Sequence, residues 1–254
     1  MKRTIIIMLA FFTLLLSASA NTDIAKVNFS KANEFFKKGN YIKAIELYKS
    51  ILGNGYESYE LYYNLGNCYF RRNAVPSAIL CFERAKRIAP DDDDILYNLG
   101  IANLRIVDKI EPVPKFFLFQ LYDNLRSSFS STSWGTFVII SLWVFFLSLA
   151  GFITFWSSLI RKILFGIGVI SIASAILFFV FAVQNYDKEQ TRDEAVIFSP
   201  SVYVKSSPDA GGKDVFILHE GTKVKILDEV GDWRKIRLVN GNLGWALKQS
   251  MEII

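Results

Sequence analysis

The 254-residue sequence holds one histidine, His219, and two cysteines, Cys68 and Cys81. One imidazole and two thiols are too few for a tetrahedral zinc site, and two cysteines build no disulfide framework. No serine-elbow motif, phosphate-binding glycine loop or metal-ligand cluster accompanies His219, which reads as a surface residue in a strand-to-turn segment. Without a catalytic constellation the chain is not read as an enzyme, and neither a metal nor a cofactor is expected. Runs of lysine and arginine are also missing. The net charge of +5 falls to about +3 without Lys2 and Arg3, and basic residues alternate with acidic ones. Nucleic acid is therefore not an expected partner, despite a pI near 9.1. The acidic run Asp91–Asp94 lacks the glycine and distal glutamate of a calcium loop, and reads as a solvated loop that caps the next helix.

Apolar residues are abundant. They make up 52% of the chain and mean hydropathy is +0.27, too apolar for an ordinary soluble protein. Residues 1–20 read as a secretory signal: Lys2 and Arg3, an apolar core from Ile5 to Leu16, then Ala18-Ser19-Ala20 as a cleavage site. Twelve apolar residues reach about 18 Å as a helix, short of the ~30 Å hydrocarbon core, which favours a cleaved leader over an anchor. Two later runs, 135–156 and 163–183, are long enough to span. Neither contains an ionisable residue, which argues against a pump or ion transporter. Gly168, Ser171 and Ala175 share a helical face that would let the spans pack closely. Arg161 and Lys162 lie in the short loop between the runs and mark it as cytoplasmic. Leader and loop charge together place both ends on the periplasmic side of a bacterial inner membrane.

The segment before the spans repeats itself at a shift of 34: Phe35 falls on Tyr69, Ala44 on Ala78, Ile45 on Ile79, Tyr48 on Phe82, and Ala32 on Gly66 and Gly100. A period of this size marks a helix–turn–helix solenoid. Small residues let paired helices approach and aromatics fill the space between them. Gly39-Asn40 turns the first hairpin and Pro90 stops the last helix of the second unit. Cys68 and Cys81 then fall on opposite helices of one hairpin, as buried thiols or, alternatively, as a disulfide. Residues 26–108 resemble the tetratricopeptide repeat, with two full units and a capping helix over about Ile95–Val107. The resemblance implies peptide binding on the concave face, at Phe29, Asn33, Phe36, Lys37, Tyr63, Asn67, Phe70, Arg71, Tyr97, Leu104 and Arg105. Asn33 and Asn64 match the family's carboxylate-clamp pattern, but Phe29 and Asp94 stand where it has lysines and Asn98 where it has arginine. An aromatic groove edged by Lys37, Arg71 and Arg105 is expected instead of a clamp.

Residues 109–133 link this array to the first span. Pro112 and Pro114 break the helix, and Phe116–Tyr122 is either an interfacial helix or a plain linker. From Ala195 onward, five short alternating runs with glycine turns suggest a small all-β barrel. The opening Val202-Tyr203-Val204-Lys205-Ser206-Ser207-Pro208, then Glu220-Gly221-Thr222, Gly231-Asp232-Trp233 and Gly244-Trp245, resemble the bacterial SH3 domain over 195–254. That resemblance implies binding of cell-wall peptides or proteins. Trp233 is expected in the barrel core, and Tyr203 and Trp245 on a ligand surface.

The expected fold is multidomain: an all-α array, a two-helix transmembrane hairpin and an SH3-like barrel. This order resembles the BatE family of the Bacteroidetes aerotolerance operon. The resemblance implies a cell-envelope complex with von Willebrand factor A-domain membrane proteins and another tetratricopeptide protein, and a loose link to oxygen or stress tolerance. The leading reading is a periplasmic-face scaffold that grips one partner with the array and a second ligand with the barrel. The alternatives are a peptidoglycan-binding sensor or attachment protein, and a regulator of a wall hydrolase.

Overall fold

The computed structural model describes residues 24–114 and 116–254; the expected leader at 1–20 lies outside the described residues. The array begins with helix α1 (24–37), followed by α2 (Tyr41–Gly53), α3 (Tyr59–Arg71), α4 (Val75–Ile88) and α5 (Asp93–Asn103). Starts are set by side-chain caps. Asn40, Ser58 and Asp92 accept the main-chain N–H of Lys43, Leu61 and Ile95 at 3.3, 3.2 and 3.1 Å. Each such cap contributes about 1 kcal/mol. Between α1 and α2 the chain turns at Gly39, whose φ of +75° a side chain would resist.

Small residues sit at the closest approaches. Ala32, Ala44 and Ala78 are fully buried. A Cβ on Gly66 would lie 2.7 Å from the ring of Phe82, so the large residue of one helix occupies the space that glycine leaves on its neighbour.

The third repeat stops after one helix. Lys109 Nζ donates to the carbonyls of Asn103 and Leu104, each at 2.9 Å, closing the end of α5, and residues 104–114 run on without a second helix. The barrel takes the vacated place. Val196 and Ile254 join Ala78, Ile79, Leu80, Phe82, Leu99 and Ala102 in one buried cluster, with Ile106 and Phe198 against it. Burying a side chain of this kind stabilises by about 1.5–3 kcal/mol, more than exposed ion pairs supply. The array and barrel are therefore one packed body, not two beads on a membrane tether.

The barrel has seven antiparallel strands: β1 (Glu194–Ile197), β2 (Ser201–Lys205), β3 (Asp214–His219), β4 (Lys223–Val230), β5 (Trp233–Arg237), β6 (Leu243–Leu247) and β7 (Met251–Ile253), in the order β3-β2-β6-β5-β4-β1-β7. The five sequence runs missed β1 and β7, which pair with each other and carry the contact to the array. Inward residues such as Ile197, Val204, Leu218, Val224 and Ile236 form the barrel core, and Ile110 of the segment after α5 packs onto it.

Between the two lies an apolar hairpin, α7 (Ser131–Thr154) and α8 (Ser158–Gln190), preceded by α6 (Phe117–Ser127). Mean hydropathies of 2.4 and 2.7, with little of either helix covered by protein, make both apolar enough to cross a membrane. Their lengths are about 36 and 50 Å at 1.5 Å per residue. They meet along small residues: Ser148, Gly168, Ser171 and Ala175 are buried, and a Cβ on Gly168 would lie 3.0 Å from Ser148 Oγ. Helix α8 continues beyond the apolar run, and α6 docks on that extension. Tyr122 donates to Gln184 at 2.9 Å, and Asn185 Nδ2 donates to the carbonyls of Arg126 and Phe129 at 2.8 Å. Trp134 Nε1 donates to the same Arg126 carbonyl at 2.9 Å.

Candidate partner-binding surfaces

The first helices of successive repeats, α1, α3 and α5, are tied by a recurring asparagine rung. Asn64 Nδ2 donates to Asn33 Oδ1 at 3.2 Å, and one repeat later Asn98 Nδ2 donates to Asn67 Oδ1 at the same distance. Asn33 also accepts the Tyr48 hydroxyl at 2.5 Å, and burial pushes that phenol well above its usual range. Asn98 donates to the Tyr63 hydroxyl at 2.8 Å. The array thus spends Asn33, Tyr63 and Asn67, all expected in the groove, partly on holding its own helices in register. Phe29 and Phe36 pack beside the first-repeat core, near Tyr48 and Tyr41. Phe70 supports Arg105, whose guanidinium lies 3.9 Å from the ring centroid and donates to Asn73 Oδ1 at 3.3 Å. Lys37 and Arg71 are exposed at the ends of α1 and α3. The freest apolar groups are Tyr97 and Leu104, at 70% and 76% exposure.

On the barrel, pairing registers sort the aromatics. Ile236 is buried on β5, so Trp233 and Lys235, an odd number of residues away, face outward. Trp233 is thus half-buried on the outer surface and absent from the core cluster, contrary to the sequence expectation. Trp245 stands opposite Lys235 on one side and Lys205 on the other, and Tyr203 follows on the same face of β2, opposite Ile217. Trp233, Trp245, Tyr203 and Ile217 with two lysines form one outer face. Its signal was the odd spacing from Trp233 to Ile236.

His219 is not a free surface group. The Asp108 carboxylate accepts its main-chain N–H at 2.7 Å and the Thr222 hydroxyl at 2.7 Å, and meets His219 Nδ1 at 2.8 Å. Burial would raise the Asp108 carboxyl, but the bonds from Thr222 and His219 together hold it below the usual carboxylate range. Farther along the seam, Lys223 bridges Glu83 of α4 and Glu194 of β1 at 2.9 and 2.7 Å. Burial alone would lower that ammonium, but the two carboxylates raise it. Arg84 donates to Glu252 and to the Ile253 carbonyl at 3.1 and 2.7 Å.

Cys68 and Cys81 are free and buried in the array. Burial pushes both thiols up to about 12, so neither forms a thiolate near neutral pH.

Comparison with known proteins finds two modules. The tetratricopeptide repeat family matches residues 29–93, and the bacterial SH3 domain family matches residues 200–252. Among curated proteins, BBSome complex member BBS4 of Bos taurus is 39% identical over 66 residues and its Mus musculus counterpart 38%. Each match takes in 26% of this chain and 13% of the relative, so the likeness reaches no further than a stretch of about two repeats. The chain joins a tetratricopeptide segment to a bacterial SH3 segment, both typically non-catalytic modules for holding protein or peptidoglycan partners.

Proposed function

We propose that this protein is a non-catalytic, membrane-anchored scaffold of a bacterial cell envelope. The α7–α8 hairpin crosses the inner membrane with Arg161 and Lys162 on the cytoplasmic side, and the array and barrel stand together on the periplasmic side. The array holds a partner segment along α1, α3 and α5, with contacts from Tyr97, Leu104, Lys37, Arg71 and Arg105. The barrel offers Trp245, Tyr203 and Trp233 to a second ligand. One observation carries the reading: the barrel seals the open end of the array yet leaves both surfaces uncovered. A scaffold needs two sites held at a fixed relation, and a shared core supplies that.

The order of modules supports a BatE-type assignment. On that assignment the partners are von Willebrand factor A-domain membrane proteins and a second tetratricopeptide protein, in a complex linked to aerotolerance. The second reading, a peptidoglycan-binding sensor or attachment protein, is favoured by the aromatic-and-lysine face of the barrel. Cross-linking in native membranes through a C-terminal tag separates them. Recovery of A-domain proteins, lost on Tyr97→Ala/Leu104→Ala, supports the scaffold. Recovery of wall fragments alone, lost on Trp245→Ala, supports the sensor and overturns the scaffold.

A further inference from the structure

A cavity of about 160 Å³ opens where array, apolar hairpin and barrel meet. Its acidic side chains are all engaged. Glu83 and Glu194 hold Lys223, Asp193 holds Lys225 at 2.7 Å, and Glu189 accepts from the main-chain N–H and hydroxyl of Ser131. Two cations remain. Lys86 of α4 and Lys188 of α8 both line the cavity, and neither lies within ion-pairing distance of a carboxylate among the described residues; Glu194 acts on Lys188 only from farther off, against the like charges of Arg126, Lys223 and Lys86. Arg87 beside them gives Nη1 to the Ile254 carbonyl at 2.8 Å.

Both lysines stand in the last turn of their helices, where carbonyl ends attract cations by about 0.3–1 kcal/mol. That accounts for their positions, and their ammonium protons, three on each, are open to solvent or to an anion from solution. Height is the second clue. At 1.5 Å per residue, Lys188 lies about 7.5 Å beyond Val183, the end of the apolar run. Headgroups occupy roughly 5–7 Å on each side of the hydrocarbon core. If α7 and α8 span a membrane, as the proposed function holds, the cavity opens at headgroup level. Its volume is several times the ~30 Å³ share of one water, room for a phosphate group with an ester substituent.

We propose that this junctional cavity binds a phosphate-bearing anion between the ammonium groups of Lys86 and Lys188, with the Arg87 guanidinium alongside. Such an anion ties α4 of the array to α8 of the hairpin, and so fixes the array over the membrane surface. A lipid headgroup and free phosphate offer the same chemistry, and the test separates them. The full chain in mild detergent is titrated with inorganic phosphate at constant ionic strength, reading thermal unfolding. In parallel, native mass spectrometry counts phosphatidylglycerol retained from mixed phosphatidylglycerol–phosphatidylcholine micelles. The expected result is binding of at least one probe. Binding should weaken about tenfold or more in Lys86→Gln/Lys188→Gln and persist in Lys86→Arg/Lys188→Arg. Retention of the lipid alone identifies a headgroup site, and response to phosphate alone a soluble one. No binding of either probe, or binding that Lys86→Gln/Lys188→Gln leaves unchanged, overturns the site. Flotation with pure phosphatidylcholine vesicles reads membrane insertion separately. Insertion without anion binding sinks the cavity proposal alone, and failure to insert sinks the membrane reading.

Discussion

Asp108, just beyond the array's last helix, receives the main-chain N–H of His219 in the barrel at 2.7 Å. The same carboxylate takes the Thr222 hydroxyl, so one half-buried side chain fixes the turn between β3 and β4 against the array. Hydrogen bonds to a charged acceptor are worth about 1.5–3 kcal/mol, and donors left without it add their own cost. Asp108→Ala should therefore loosen the seam by about 2–3 kcal/mol. Hydrogen exchange should show faster exchange at the Gly221 and Ile254 amides, while the asparagine rungs of the array stay protected. Unchanged exchange at those two amides would show that the apolar cluster holds the seam alone.

The same contact sets an acid limit. The folded Asp108 carboxyl lies below its ordinary value, so its contribution is fully present above about pH 4 and is lost as pH falls through the lower folded value. The part of seam protection that Asp108 supplies should decline as pH falls below about 4. Asp108→Asn should start from a weaker seam and lose part of that acid dependence. A decline of equal depth in the variant would assign the acid sensitivity to groups other than Asp108.

Gly221 is required twice over. Its φ is +88°, and a Cβ there would lie 2.5 Å from Cγ2 of Ile106 and 3.4 Å from Cδ1 of Ile79. Gly231, with φ of +55° and nothing within 4 Å, carries only the first constraint. Gly221→Ala should cost about 2–4 kcal/mol against about 1 kcal/mol for Gly231→Ala, as strain and overpacking add. Thermal unfolding of the two variants side by side measures the difference, and equal losses would mean that Ile106 yields.

The repeat was legible because its periodicity repeats a physical arrangement. Buried small residues recur at the spacing of the unit at Ala32 and Gly66 and at Ala44 and Ala78, and Phe82 fills the space beside Gly66; Gly100, in the repeat that lacks a second helix, has nothing within 4 Å. The apolar hairpin was legible for a similar reason, since long uncharged runs admit few other uses. The seam was not. Val196, Phe198 and Ile254 look in sequence like ordinary strand hydrophobics, and nothing in a strand's alternation says whether a buried face meets its own barrel or a neighbour. His219 misled for the same reason, because its partner Asp108 is 111 residues away. Trp233 was expected in the core, but its odd spacing from the buried Ile236 turns it to the outer face. Nor could the sequence show that Asn33, Tyr63 and Asn67, expected in the groove, would serve the rungs between helices.

Tyr97 and Leu104 make a sharp test of the groove because they support little else. At 70% and 76% exposure, alanine at either should leave stability within about 0.5 kcal/mol. If a partner segment lies on α5, the double variant should weaken cross-linking to it about tenfold or more, since exposed apolar anchors carry disproportionate binding energy. Asn98→Ala provides the contrast. It removes a donor to both Tyr63 and Asn67, and should lower array stability by about 1–2 kcal/mol. Partner loss on Asn98→Ala but not on the Tyr97/Leu104 pair would place binding elsewhere on the array.

The outer face of the barrel can be probed through its own fluorophores. Trp233 and Trp245 lie on adjacent strands, two residues apart in register, with Lys235 and Lys205 on either side of Trp245. An aromatic face flanked by cations suits a wall peptide, whose carboxylates would meet the lysines while its backbone lies on the rings. Soluble stem peptide should change the fluorescence of a chain that retains only these two tryptophans, with Trp134, Trp143 and Trp156 replaced by phenylalanine. Lys205→Gln/Lys235→Gln should weaken that response about tenfold at low ionic strength, and less as salt screens the pairs. Lys205 also pairs with Asp214 at 2.7 Å, a partly exposed contact, so unfolding should shift by no more than about 1 kcal/mol. A peptide response that ignores both the lysines and salt would mean that the rings bind something neutral, and that the face belongs to a protein partner.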